Sequence, residues 1–437
     1  MPEKKQSVFV FDPLQLAIFL SLITFVLSWL WGKNATPDFN GFVKVLGFWE
    51  KGFWDLLAFS MQMVLILFLG YMLAISPAFD KLAKVLSRFA EKPVQAMLVI
   101  SISALILGLI NWGLALVFGA VLVRKTGEQA QKLNLVIPYG LMGAAAYSCM
   151  MIWHSGFSGS APLSVASAGH FLEMKTGIIT LRESILSEMN ISAVVLLAIT
   201  LPLLGIFLLK KAKSAVPEGL ISISENEKPK QESIKKSSIK LLQFFGAFIV
   251  ITAFINAFIV SEKHEFGLNQ VNFVLLGLVF LFSGNMNHFQ KNAATAIKST
   301  SGIVIQFPIY AGIMGMLNYS GLLAAFTFWL SGIATAETFP IITLISASIV
   351  NFFVPSGGGQ WAVQGPVIME TAALLGVSLP KAVMALAYGD QLTNMLQPFW
   401  ALPLLGITGL KASELLRYTI YYLLVGLIIF SLVLILF

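Results

Sequence analysis

The stretch that most constrains this chain is Asn351 to Pro366, NFFVPSGGGQWAVQGP, set between apolar segments at 339–354 and 367–377. Three consecutive glycines, two prolines and several amide and hydroxyl side chains interrupt any straight apolar helix here. Neither arm reaches the roughly 20 apolar residues of an easy membrane crossing. Irregular backbone cannot face lipid, where its N–H and C=O groups find no water. At membrane depth it must be buried in protein or line a wet cavity. The stretch therefore predicts a re-entrant helical hairpin over about 338–377, with a tip that binds something small and polar. The alternative is an ordinary loop at the membrane surface.

A membrane setting follows from composition. The 437 residues are 57% hydrophobic and 11% charged, with a mean hydropathy of +0.84, which places the chain among all-α polytopic membrane proteins. Its long continuous apolar runs exclude the short alternating strands of a membrane β-barrel. The net charge of +7 would suggest nucleic acid in a soluble protein. Here the lysines lie in loops between apolar runs, so the expected partner is the lipid bilayer and not nucleic acid. The single Cys149 rules out an intramolecular disulfide and a cysteine metal cluster. No cleavage pattern follows the first apolar run, so no signal peptide is expected.

Spans are predicted at about 14–31, 56–76 and 191–209 in the first half, and at 241–260, 271–282, 302–318 and 418–437 in the second. Residues 77–93 read as a basic connection, 322–333 as an amphipathic interfacial helix, and Gln306-Phe307-Pro308 as a kink. The run over about 94–123 is too long for one helix and too short for two crossings. Basic residues at both its ends return it to the side it came from, so it reads as a first hairpin with its tip at Asn111-Trp112-Gly113. A segment over about 136–168 is broken by Trp153-His154-Ser155-Gly156-Phe157-Ser158-Gly159-Ser160. A second, over about 381–408, is broken by Gly389-Asp390-Gln391-Leu392-Thr393-Asn394. Between the halves, the Glu/Lys/Ser/Pro-rich residues 211–240 read as a cytoplasmic linker. With the N-terminus inside, 21 Lys and Arg fall on the cytoplasmic side and 7 outside, as the positive-inside rule requires. The C-terminus then falls outside, and the two hairpins dip in from opposite faces.

The halves align. Gly113 and Gly119 are six residues apart, as are Gly359 and Gly365. After each hairpin a proline, Pro138 or Pro380, opens a segment that turns polar midway. Residues 1–210 and 241–437 thus read as inverted repeats, each a hairpin plus a broken helix on scaffold spans, the pattern of secondary transporters.

Hairpin tips and broken helices bring helix ends to the membrane midplane. N-terminal ends suit a carboxylate, whereas unwound carbonyls suit a cation. Gly357-Gly358-Gly359 lets backbone approach a ligand, and Ser155, Ser158, Ser356, Thr393 and Asn394 supply hydroxyl and amide groups. Asp390 is the one acidic residue well inside a span. It has three readings: a Na⁺ ligand, a carrier of a coupling proton, or a structural partner of His154. His154 can titrate, donate to a substrate carboxylate, or serve as a bonded core histidine. Trp112, Trp153 and Trp361 sit at breaks, where they wall a pocket for a short alkyl chain or fill gaps left by unwound helices. No arginine lies in a predicted span, which favours a monoanion over a dianion. No cofactor is expected beyond Na⁺ or H⁺ as coupling ion.

Two motifs, Val354-Pro355-Ser356-Gly357-Gly358-Gly359-Gln360-Trp361 and Trp153 through Leu163, resemble the bacterial short-chain fatty acid transporter family of the acetoacetate/butyrate uptake type. The resemblance covers nearly the whole chain, including Asn111-Trp112-Gly113 and Gly389 through Asn394. That family is grouped with the ion transporter superfamily, which includes sodium-coupled dicarboxylate carriers. The resemblance implies a dimerising scaffold domain, hence a homodimer, and a transport domain holding both hairpins that moves as an elevator. It also implies that Asn111 to Gly113, Trp153 to Ser158 (Gly156 included), Ser356 to Trp361 (Gln360 included) and Asp390 to Asn394 line the substrate and cation sites. The serine-asparagine-threonine tips of the dicarboxylate relatives are absent, so their sodium sites do not carry over.

The expected function is cation-coupled symport of a short-chain monocarboxylate, butyrate or acetoacetate, across a bacterial cytoplasmic membrane. The rivals are a dicarboxylate or other organic-anion carrier, a membrane-embedded acyl or lipid enzyme, and a passive channel. The enzyme is poorly equipped, since no HExxH, GxSxG or aspartate pair is present.

Overall fold

The computed structural model describes residues 13–212, 236–260, 267–354 and 356–437, and among them every regular element is a helix. Among the described residues, six helices are long and apolar enough to cross a membrane: Leu57–Ala74, Pro93–Ile110, Glu188–Leu209, Lys240–Val260, Thr300–Tyr319 and Ala412–Leu436.

One group of helices is built around Met286–Tyr319, a 34-residue helix that packs on Pro13–Trp31, Phe39–Asp55 and Leu57–Ala74. Close approach there depends on small residues: a Cβ on Gly52 would lie 2.6 Å from the Gly315 Cα. Helices Lys236–Ile255 and Leu268–Phe282 pair through Gly246 and Gly277 in the same way. Lipid offers no hydrophobic drive between helices, so such close packing has to supply the attraction.

The second group holds two helix pairs and two broken segments. Pro93–Ile110 and Trp112–Lys132 pack together across the single residue Asn111, and Phe339–Phe353 packs on Gly357–Leu375 across the turn at Ser356. The first broken segment runs Tyr139–Tyr147, then 3₁₀ turns Ser148–Met151 and Trp153–Ser155, then Ser160–Val165. The second runs Leu379–Thr393, the 3₁₀ turn Asn394–Leu396, then Pro398–Thr408. Helices Glu188–Leu209 and Ala412–Leu436 close the group and pack on each other. The groups meet where Leu57–Ala74 packs on Trp112–Lys132 and where Met286–Tyr319 packs on Gly357–Leu375.

Element order recurs. Leu57–Ala74, short Pro77–Arg88, a helix pair, a broken segment and Glu188–Leu209 are followed later by Met286–Tyr319, short Leu322–Ile333, a helix pair, a broken segment and Ala412–Leu436.

Several expected boundaries need correction. The second arm of the first pair continues to Lys132 instead of stopping near 123, so Arg124 and Lys125 are helical. The connection between the spans predicted at 271–282 and 302–318, which carries Lys291 and Lys298, is helical from Met286 and forms the first half of the long helix, with Pro308 inside it. Between the spans predicted at 14–31 and 56–76 lies helix Phe39–Asp55, and the connection after 76 is helix Pro77–Arg88. Each missed piece alternates charged and apolar residues at helical spacing, so none forms the continuous apolar run that marks a span. Of the linker expected at 211–240, residues 213–235 lie outside the described residues, as does the N-terminal tail; a helix begins at Lys236.

Candidate substrate and cation site

Both helix pairs turn on an extended capping residue. Asn111 (φ −160°) accepts at Oδ1 from the Leu114 N–H at 2.8 Å, and Ser356 (φ −161°) accepts at Oγ from the Gly359 N–H at 3.2 Å. A short polar side chain caps the first turn because its oxygen replaces the carbonyl the helix lacks. Each second arm therefore starts at its pair's tip, with the positive end of its dipole there.

The first tip is anchored at the middle of Leu57–Ala74. Asn111 Nδ2 donates to the Ile66 carbonyl at 3.1 Å, and Gly70 leaves the room: a Cβ there would lie 2.7 Å from Asn111 Cγ. The Trp112 N–H donates to Ser158 Oγ at 3.0 Å, and the Phe157 N–H to the Leu109 carbonyl at 2.7 Å. Gly156 permits that approach, since its Cβ would lie 2.6 Å from Leu109 Cα. Tip one is thereby tied to the first break.

The second tip meets the same break from another side. A Cβ on Gly357 would lie 2.5 Å from Trp153 Cη2 and 3.0 Å from His154 Cε1. Gly358 and Gly359 instead press on Phe307 and Tyr310 of the long helix, and Gly113 on Leu67. Trp153 stacks on His154 with ring centroids 4.0 Å apart and faces Trp112 at 6.0 Å; Trp400 closes on Trp112 at 5.1 Å. Trp361 stands apart from these three and packs on Phe171 at 6.1 Å.

Asp390 and His154, from opposite halves, are both fully buried. His154 Nδ1 lies 2.9 Å from Asp390 Oδ2 and 3.2 Å from the Ala387 carbonyl. The carbonyl can only accept, so Nδ1 carries the proton and donates to it, while Asp390 Oδ2 lies within ion-pair distance of that nitrogen without a hydrogen bond to it. The His154 N–H donates to Gln391 Oε1 at 3.0 Å, and Gln391 Nε2 donates to Ser155 Oγ at 3.3 Å. The Ser155 carbonyl takes Asn190 Nδ2 at 3.0 Å, whose Oδ1 in turn accepts from Tyr388.

Asn351 organises the second break. Its Nδ2 faces the Asp390 carbonyl at 2.7 Å, Thr393 Oγ1 at 2.9 Å and Asn394 Oδ1 at 2.9 Å. Gln397 Nε2 donates back to the Asn351 carbonyl at 2.6 Å, and Tyr147 OH donates to the Asn394 carbonyl at 2.8 Å. Gln360 links the arms of its own pair, donating to the Ala347 carbonyl at 2.9 Å. Asn351, Gln397, Tyr147 and Trp400 are not singled out as site residues by the sequence, whereas Gln391 falls within the Asp390 to Asn394 run. Asn351 opens the Asn351–Pro366 motif and Gln391 sits beside Asp390, but nothing in spacing marks which partners they take.

The expected residues thus divide. Asn111, Trp112, Trp153, His154, Ser158, Ser356, Gly357 and Asp390 meet where the tips and the first break converge. Ser155, Thr393, Asn394 and Gln360 are engaged in bonds that hold the breaks, while Gly113, Gly156, Gly358, Gly359 and Trp361 serve close packing. Buried groups still without a hydrogen-bond partner include the donors Trp153 Nε1 and Asn394 Nδ2, and the acceptors Asn351 Oδ1, Gln397 Oε1 and both Asp390 oxygens. Donors suit a carboxylate; the acceptors are the hard oxygen ligands that a small cation takes. No group of three His, Cys, Asp or Glu side chains that could hold a metal occurs among the described residues. A Na⁺ ion would therefore lean on Asp390 together with amide and backbone oxygens.

The family profile described as "Short chain fatty acid transporter" matches residues 4–437. An Escherichia coli (strain K12) protein, provisionally named a short-chain fatty acid transporter, is 36% identical over 433 residues, covering 96% of this chain and 94% of its own. A Haemophilus influenzae protein with the same provisional name is 33% identical, covering 93% and 92%. Among solved structures, the YdaH transporter of Alcanivorax borkumensis aligns with a TM-score of 0.64 at 14% identity, over 97% of this chain and 98% of that one. MtrF of Neisseria gonorrhoeae, described with a class of antimetabolite efflux pumps, aligns at 0.53 and 13%, over 97% and 95%. At such identities the structures share the fold alone. The chain belongs to the short-chain fatty acid transporter family and is a multi-pass membrane transporter, not an enzyme.

Proposed function

We propose that this member of the short-chain fatty acid transporter family is a cation-coupled symporter of short monocarboxylates such as butyrate or acetoacetate, working in a bacterial cytoplasmic membrane. The observation that carries the reading is the meeting of two capped helix N-termini, at Asn111 and Ser356, with the buried Asp390–His154 pair at the Trp153–Ser158 break. The helix ends and the Trp153 indole N–H receive the carboxylate, and Trp112, Trp153 and Trp400 wall the alkyl chain. Asp390 carries the coupling charge, as a Na⁺ ligand or as a proton site shared with His154. A buried carboxylate is costly in a membrane, and a transported cation offsets that cost in one half of the cycle only.

The transport cycle we attach to this site treats the halves as inverted repeats and the helix pairs as re-entrant hairpins. Supporting it are the recurrent element order and the anchoring of the first tip at Ile66, the tenth of the 18 residues in Leu57–Ala74. The orientation is N-terminus inside and C-terminus outside. Residues that this orientation puts on one face do lie together: Leu268 with Ser167 and Asn34 with Tyr319 toward the outside, Lys125 with Asp80 and Tyr139 with Thr408 toward the inside. In this reading the helix-pair group is the transport domain, moving as an elevator against the group around Met286–Tyr319, which forms a homodimer.

Uptake of labelled butyrate into proteoliposomes, with Na⁺ and H⁺ gradients imposed separately, tests the proposal. Saturable uptake that one gradient drives above equilibrium is expected. Equilibration without accumulation under either gradient, or succinate taken up in preference to butyrate, refutes it.

A further inference from the structure

Away from the tips, a cavity of about 280 Å³ separates the two groups of helices on the face we assign to the outside. One wall belongs to Phe39–Asp55, Met286–Tyr319 and Leu322–Ile333, through Asp55, Met314, Asn318, Tyr319 and Leu323. The other belongs to the segment after the first broken helix, through Phe171 and Lys175, and to the second helix pair, through Pro366. Its polar lining is unequal. Asp55 is already engaged, since Tyr319 OH donates to its Oδ2 at 2.6 Å and Lys51 lies 4.1 Å over the same tyrosine ring. Lys175 is the cation of the lining, and it is half exposed in an ion pair with Glu370 of Gly357–Leu375. An ion pair this exposed is worth little, because water screens it and two long side chains must be held still. The pair is therefore readily exchanged for another carboxylate. Apart from the Asn318 amide and the Tyr319 hydroxyl the remaining lining is apolar, and the volume suits a ligand of a few heavy atoms.

We infer that this cavity is a peripheral recruitment site for short monocarboxylates, in which the incoming carboxylate displaces Glu370 from Lys175. The alkyl chain lies against Phe171, Met314 and Leu323. The identity of the ligand rests on the function proposed above; the site itself does not require that transport occur. Exchange at Lys175 has a second effect. It detaches the second arm of the hairpin from the segment that carries Phe171, the ring that packs on Trp361 and on Phe59. Occupancy of the cavity thus loosens the aromatic contact lying between it and the hairpin tip.

The test uses Asn318→Cys in the full-length, detergent-solubilised protein, labelled with a hydrophilic maleimide and titrated with butyrate or its neutral isostere butyramide. Butyrate is expected to slow labelling of Cys at 318 while butyramide does not. Lys175→Gln should weaken protection about tenfold or more, and Glu370→Gln should strengthen it by ~2- to 5-fold because the competing carboxylate is gone. A merely structural ion pair gives no such strengthening. Protection that is absent, unchanged in Lys175→Gln, or equal for butyramide overturns the inference. Asp390→Asn should leave protection intact, which separates this cavity from the tip site. Butyrate uptake without protection at 318 would refute this site alone; protection without uptake would refute the transport reading alone.

Discussion

Asn351 holds the second break in place, and its replacement gives a graded test of the site's construction. The side chain is fully buried, and its two N–H bonds are shared among three acceptors between 2.7 and 2.9 Å away. Side-chain hydrogen bonds between membrane helices contribute about 0.6 kcal/mol on average and at most ~1.7 kcal/mol. Losing two of them in Asn351→Ala therefore costs about 1–3 kcal/mol. Asn351→Asp is nearer in shape but worse in chemistry. As a carboxylate it sets oxygen against three oxygens, and when protonated it supplies one donor where two were used. The expected order of stability is wild type, then Ala, then Asp. With roughly 2 °C per kcal/mol for a long chain, Asn351→Ala should melt about 2–6 °C lower. Cys149 makes the assay direct, because it is the single cysteine in the sequence and is fully buried in the Ser148–Met151 turn beside the first break. A thiol-reactive fluorophore then reports the melting of that region. Equal melting temperatures for wild type and Asn351→Ala, or Asn351→Asp melting above Asn351→Ala, would refute this account of the break.

Asp390→Asn should abolish gradient-driven accumulation; accumulation that keeps its cation dependence makes Asp390 structural. Ser356→Cys should be labelled slowly and be protected by butyrate, whereas free labelling regardless of substrate would return the tip to the surface. Gly359→Ala sets its Cβ 2.9 Å from Cε2 of the buried Tyr310 ring and should cost ~1–3 kcal/mol. Pairing it with Tyr310→Ala should recover part of that loss in the Cys149 assay, and a strictly additive double variant would show that the two do not collide. In the short helix Pro77–Arg88, burial raises the Asp80 carboxyl, but hydrogen bonds and charge from Lys84 and Lys125 outweigh it and leave it below its ordinary value of 3.8. A lowered carboxyl contributes stability above its unfolded value and loses it as pH falls through the folded one. Between about pH 6 and pH 3, wild type should therefore lose more stability than Asp80→Asn; equal losses would show that the pair contributes nothing.

The sequence by itself determined where the backbone had to break. Asn111, the Trp153–Ser160 run, Ser356 and the Asp390–Asn394 run stand out because lipid does not tolerate unpaired polar backbone, so each interruption of an apolar run is a constrained event. The same reasoning placed the single carboxylate that needed a partner. Helices whose apolar positions are scattered around a charged face escaped it, namely Phe39–Asp55, Pro77–Arg88 and the first half of Met286–Tyr319. Partners between breaks were decided by the tertiary structure alone. His154 and Asp390 are 236 positions apart in a sequence of 437 residues, and no local periodicity links them. Nor could composition tell that Trp361 belongs with Phe171 while Trp112 and Trp153 belong with Trp400, or that two of three consecutive glycines exist to admit the rings of Phe307 and Tyr310. Local chemistry states which groups must be satisfied. Only the packing of distant helices, which brings particular donors within 3 Å of particular acceptors, decides by whom.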